Sequence, residues 1–195
     1  MAVIPAVPNV GSQIERAMVA YFMDAYGAAF IEQQGLNFYT SNDFKRRETP
    51  CISVLASHSE ESPTYSMDKD FYVAVEATWT GQNEVGSENP DSNRVEIDNL
   101  IGVAEAAMCQ TTTGQDRQAT CTALNLFGRA LAVDASNGSD PVQKQDAANK
   151  ADMVNFTCLK VMSMGDRRAD KIASGAIILR EVRTFKVSAC PSNVD

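Results

Sequence analysis

The sequence predicts an α+β protein: a four-stranded mixed or antiparallel sheet with two main helices packed on one face, plus a final hairpin and an insertion. Three observations carry that expectation. Apolar residues recur at helical spacing over residues 14–28 and again over 97–108. The stretch FYVAVEATW, residues 71–79, alternates with the period of two that a strand imposes on its side chains. Two further strand-like runs, residues 152–163 and 175–188, close the chain with a short charged connection between them.

Each element has its own local reason. Residues 1–11, with Pro5, Pro8 and Gly11, read as a flexible N-terminal arm. Ser12 followed three residues later by Glu15 has the form of a capping box, in which the two side chains satisfy free backbone N–H groups, so a helix is expected to begin there. Its stripe is Ile14, Ala17, Met18, Tyr21, Phe22, Ala25 and Ala28; it should end near Gln33, with Gly35 as the stop. TSNDFKRRETP, residues 40–50, is polar and aperiodic and predicts a loop, with a short extended piece over 36–39. In residues 51–57, Cys51, Ser53 and Leu55 alternate with Ile52, Val54 and Ala56, as in a sheet strand, and SHSEESP closes it.

In the next strand Phe71, Val73, Val75, Ala77 and Trp79 form the core face, and Tyr72, Ala74, Glu76 and Thr78 the other. After the long turn GQNEVGSENPDSN, Asn93 and Glu96 repeat the cap pattern, and Ile97, Leu100, Ile101, Ala104, Ala107 and Met108 form a second helical stripe ending near Gln110. Residues 111–150 lose this clarity. A helix-like piece at Ala123, Leu124, Phe127 and Leu131 lies between polar runs, which reads as an insertion or irregular crossover rather than a second domain. Residues 12–190 are therefore expected to form one domain, with 191–195 as a tail.

Size and composition bound the function. A chain of 195 residues buries about two thirds of its unfolded surface, enough for one sizeable core. With 44% hydrophobic and 22% charged residues the chain fits a soluble globular class, and its apolar runs are too short for a membrane span. The N-terminus lacks the basic leader of a signal peptide. A formal charge of −8 opposes broad attraction to phosphate backbones. The most basic run, DRRADK at 166–171, has two interspersed acids and reads as a solvated hairpin tip. The five cysteines are odd in number and form no CxxC pair, which predicts free thiols. With a single histidine, no zinc site, metal or cofactor is expected.

Catalytic readings find little to build on. His58 is flanked by Ser57, Ser59 and Glu60, yet adjacency in a chain does not converge side chains on one reacting atom. Neither a GxSxG elbow nor a GxxxxGK[ST] phosphate loop is present. The acidic groups Glu60 and Glu61, Asp68 and Asp70, and Glu88 and Asp91 read as soluble surface. Met162 and Met164, with Met153 before them, are adaptable thioethers suited to packing across subunits or within a core. Trp79 reads as core packing or a sheet-end lid, and Tyr72 as a secondary packing residue.

Taken together, SQIERAMVAYF, CISVLAS, FYVAVEATW, the helix from VEIDNL and the final strand pair resemble the tail terminator, or tail completion, proteins of tailed bacteriophages. The resemblance covers most of residues 12–110 and 152–188 and is one of element order, with no active-site motif. It implies a structural virion protein without catalysis, assembled in the host cytoplasm and placed at the head–tail junction. There a homohexameric ring would close the tail tube and join it to the head connector, with DNA passing through the lumen. It implies a tube or connector contact at Arg167, Arg168 and Lys171, and ring contacts along the N-terminal arm and helix edge. The insertion at 111–150 departs from the compact terminator pattern. The competing readings are another neck or connector ring component, a small hydrolase using His58 with Ser57 or a carboxylate, and a small-molecule-binding α+β module.

Overall fold

The structure, a computed structural model, describes residues 10–41, 43, 47–58, 69–82, 90–108, 119–127, 155–163, 167–171 and 176–190. The elements run α1 (Val10–Tyr26), α2 (Ala28–Gln34), β1 (Asn37–Thr40), β2 (Cys51–His58), β3 (Lys69–Gln82), α3 (Pro90–Met108), β4 (Asn155–Ser163), β5 (Arg167–Lys171) and β6 (Ala176–Cys190). Residues 119–127 are also helical. The α+β class and the mixed sheet packed by helices are as the sequence predicts. The four expected strands are β2, β3, β4 and β6, and β1 and β5 bring the sheet to six strands in the order β1-β2-β3-β6-β4, with β5 also on β6.

The helices differ in detail from their sequence reading. α1 starts at Val10, so Ser12 lies inside it and is not its cap, and the predicted arm gives up residues 10 and 11 to the helix. The single predicted helix is two, because Gly27 adopts φ 78°, which a residue with a Cβ resists, and the chain turns before α2. Ile14, Ala17, Met18 and Phe22 are buried as expected and Tyr26, one turn beyond Phe22, joins them, whereas Ala25 and Ala28 are exposed. Gly35, in the left-handed region at φ 60°, ends α2 as predicted, and the Leu36 N–H reaches back to the Ile31 carbonyl at 3.0 Å. α3 starts at Pro90, so Asn93 is not its cap either; proline suits the first turn, where its missing N–H would have no helical partner. Its predicted stripe, Ile97 to Met108, is buried at all six positions.

The core forms between these helices and one face of the sheet. In β3 the odd positions Phe71, Val73, Val75 and Ala77 are buried, with Trp79 packed against them, and the register carries this face across Ile52 and Val54 of β2 and Phe185 and Val187 of β6. A fully buried Phe such as Phe22 or Phe185 contributes about 1.5–3 kcal/mol through removal of apolar area from water. Tyr21 donates a hydrogen bond to the Ala107 carbonyl at 2.7 Å and Tyr26 donates to the Leu100 carbonyl, which ties α1 to α3. The helical residues 119–127 add Cys121 and Leu124 to the same core, and Phe127 meets Tyr21 edge-on at 5.9 Å. This is the helix-like piece predicted within the insertion; Leu131 and the rest of 111–150 lie outside the described residues.

β1 and β2 are parallel, whereas β2, β3, β6, β4 and β5 pair antiparallel. The final strand pair carries a third strand, β5, between its two members. β5 pairs with Ile177–Glu181 of β6 and β4 with residues 184–190, so the two lie end to end along one side of β6. The charged DRRADK run is therefore largely strand rather than a hairpin tip, because its backbone finds partners on the long β6.

Candidate assembly surface

Glu15 shows how the α1 side of the sheet is held. Its carboxylate is 1% exposed; Oε2 accepts from the Ser41 N–H at 3.0 Å and the Ser41 hydroxyl at 2.6 Å, and Oε1 accepts from the Ala56 N–H at 2.7 Å. β1 ends at Thr40, opposite Val54, so the Ala56 N–H lies two residues past the last paired position of β2. The carboxylate stands where the next strand residue would otherwise accept. The capping-box reading of Glu15 is thereby replaced: the side chain serves the sheet edge and not its own helix.

At the other side of the sheet the ionic groups cluster on β6. On the core face, Glu181 is 1% exposed and Arg183 bridges it at 2.6 Å to Glu105 of α3 at 3.0 Å. Desolvation works against the Arg183 charge, but the hydrogen bonds to Glu105 and Glu181 outweigh it and raise its pKa above the ordinary value. On the outer face, Asp70 of β3 accepts from Ser188 and pairs with Lys186, both at 2.5 Å. Hydrogen bonds from Lys186 and Ser188 hold its carboxyl below the usual aspartate range.

The predicted contact residues are distributed around this edge. Arg167, Arg168 and Lys171 fall in β5, in register with Glu181, Arg180 and Ile177 of β6. Met162 is in β4, at an irregularity in the pairing between Val161 and Ser163. Met164, and Glu60, Glu61, Asp68, Glu88 and Met153, lie outside the described residues. Tyr72 is 37% exposed on the outer face of β3, whereas Trp79 is half-buried on the core face. The structure therefore does not bring Tyr72 and Trp79 together: an odd and an even position of one strand belong to opposite faces.

Two backbone rungs went unseen in the sequence. Arg168 stands directly opposite Arg180, and Lys160 directly opposite Lys186. Arg180 and Lys186 share the outer face of β6 with Val182, Thr184 and Ser188, since all are even positions of a strand whose odd positions 181, 185, 187 and 189 are buried. Only the register between distant strands makes these pairs; no local pattern in LREVRTFKV announces them.

The groups considered for catalysis have other employment or stand apart. Position 58 pairs with Phe71 and position 57 with Tyr72, so Ser57 and His58 belong to opposite faces, and the Ser57 hydroxyl donates to the Tyr72 carbonyl at 3.0 Å. Cys51 is a free, buried thiol, as is Cys121, in line with the predicted free cysteines. Burial pushes the Cys51 pKa up, against lowering contacts from Thr78 and Ser53, which makes it a poor nucleophile. Among the described residues no three His, Cys, Asp or Glu side chains are grouped to hold a metal ion, and no helix is long and apolar enough to cross a membrane. No protein-family model matches the chain, and no curated protein sequence matches it.

Proposed function

We propose that the protein is a structural subunit of the head–tail junction of a tailed bacteriophage, forming a ring that closes the tail tube and joins it to the head connector. On this reading its activity is association geometry and requires no chemical turnover. The observation that carries it is an open sheet with two unlike sides. One side ends in the four-residue β1, with Glu15 covering the β2 amide beyond it; the other ends in β4 and β5 laid end to end on the 15-residue β6. Unlike edges suit a heterologous contact, in which every copy offers one surface to the neighbour before it and another to the neighbour after it, until a circle closes. Repetition also covers strand edges that would otherwise pair without control. The element order supports the same reading, since α1, β2, β3, α3 and the β4–β6 pair are the pieces that resemble a tail terminator, and all belong to one sheet and its helical layer.

The test is a mass measurement on the purified full-length chain over a concentration series, followed by imaging of any ring. Six copies are expected. Twelve would move the assignment to another connector layer, and a chain that stays single at the highest concentration would overturn the proposal.

A further inference from the structure

The charge of the chain is divided between two regions. Residues 155–190 hold seven of the 17 Lys and Arg but only three of the 25 Asp and Glu, a net of +4, which leaves −12 on the rest of the chain. Strands β4, β5 and β6 lie within this stretch and form one side of the sheet; by register Lys160, Arg168, Arg180 and Lys186 share its outer face with Asp170, whereas Arg183 lies on the core face with Glu181. Within that side the register sets Arg168 against Arg180 and Lys160 against Lys186. Like charges directly opposite one another destabilise a sheet. Asp70 offsets the second rung through Lys186. Arg180, in contrast, is exposed and makes no ion pair among the described residues. Its neighbour across β3 is Thr78, whose hydroxyl donates to Glu76 at 3.2 Å.

We propose that the outer face of the β4–β5–β6 side, centred on the Arg168–Arg180 rung, docks onto the acidic surface of a second copy of this chain. The inference rests on the ring reading above and assigns this face to the contact between neighbouring copies rather than to the tube. Three considerations favour a second copy over a nucleic acid. The complementary charge is carried by the same chain, so each copy brings a cationic side and an acidic remainder to a head-to-tail contact. A net −8 repels a polyanion as it approaches, whereas a second copy can meet the cationic side with its acidic one. The two rungs lie about 20 Å apart along β6, at about 3.3 Å per residue, which spans a face of protein-interface size.

The experiment compares wild type, Arg180→Glu, Arg180→Gln and Arg180→Lys by sedimentation, with circular dichroism to verify the fold. Each protein is run at about 0.05 M and about 0.5 M salt, where screening lengths differ several-fold. Wild type is expected to associate, more weakly at high salt. Arg180→Glu should weaken association at least about tenfold and Arg180→Lys should largely retain it, the charge rather than the hydrogen-bonding fork being what the contact uses. If Arg180→Glu fails to fold, the Arg180→Gln variant decides, with an intermediate loss expected. Variants that associate as wild type does, or association indifferent to salt, would overturn this inference while leaving the ring reading in place. A wild-type chain that never associates would overturn the ring reading and this one with it. Tight binding of a random DNA duplex by wild type, lost in Arg180→Glu, would reassign the face to nucleic acid and also overturn it.

Discussion

Replacing Glu15 by Ala removes a side chain from the least conspicuous place in the fold, inside a helix whose stripe is otherwise apolar. The structure sets the magnitude. Three hydrogen bonds to the carboxylate are lost, but Ser41 is exposed and water replaces its two bonds at little cost. The Ala56 N–H is half-buried past the end of β1 and loses its acceptor, at about 1–3 kcal/mol, with a further contribution from the charge-assisted character of the bond. The expected total is about 2–3 kcal/mol, equivalent to about 4–12 °C in Tm for a chain of this length. Glu15→Gln keeps one acceptor oxygen but turns an N–H donor toward either Ser41 or Ala56, so about 1–2 kcal/mol is expected. Urea unfolding at neutral pH measures both, and hydrogen exchange at the Ala56 amide reports locally, with protection falling in Glu15→Ala more than at the centre of β3. A Glu15→Ala chain within about 0.5 kcal/mol of wild type would refute the reasoning.

Other perturbations have signs that follow from particular geometry. Gly27→Ala meets no atom within 4 Å but forces a Cβ into φ 78°, so a loss of about 1–2 kcal/mol is expected in thermal denaturation. Gly102→Ala has the same open space in the interior of α3 and should instead gain about 0.5–1 kcal/mol. Arg183→Met withdraws the cation that bridges buried Glu181 to Glu105 and should lower the urea midpoint by the equivalent of about 2–4 kcal/mol, while Glu105→Gln, on the exposed arm, should cost less than about 1. Asp70 has a folded pKa below its unfolded value, so its contribution is present above the unfolded pKa and is lost as pH falls through the folded one. Wild type should therefore lose stability in acid, below about pH 4, more steeply than Asp70→Asn, as read from unfolding midpoints against pH.

The elements legible in the sequence are those whose pattern repeats within a few residues. The odd positions of β3 and the six-residue stripe of α3 are buried as read, because one strand face and one helix face meet a single apolar layer. Gly35 closed its helix as predicted for the same local reason. The break at Gly27 was hidden because Ala25 and Ala28 keep the apolar spacing intact on either side of it, and small residues satisfy a stripe without needing burial. DRRADK looked like a tip because its composition is polar; composition does not disclose that a 15-residue strand stands beside it to complete its hydrogen bonds.

Among the candidate contact residues, the sequence by itself picked out Arg167, Arg168 and Lys171 as a basic run but not Arg180, which acquires its meaning only opposite Arg168. Likewise it marked Glu15 and assigned it to the nearest partner, whereas the folded chain brings Ser41 and Ala56, 26 and 41 residues away, to its carboxylate. The sequence alone determined the main helices and strands, β2, β3, β6 and α3 among them, and their apolar faces, because burial of apolar area is non-directional and is satisfied by any stripe of the right period. Tertiary structure decided where each charge and buried polar group finds its partner. Hydrogen bonds and ion pairs act over a few ångströms and require a particular neighbour, and strand register supplies that neighbour from distant parts of the chain.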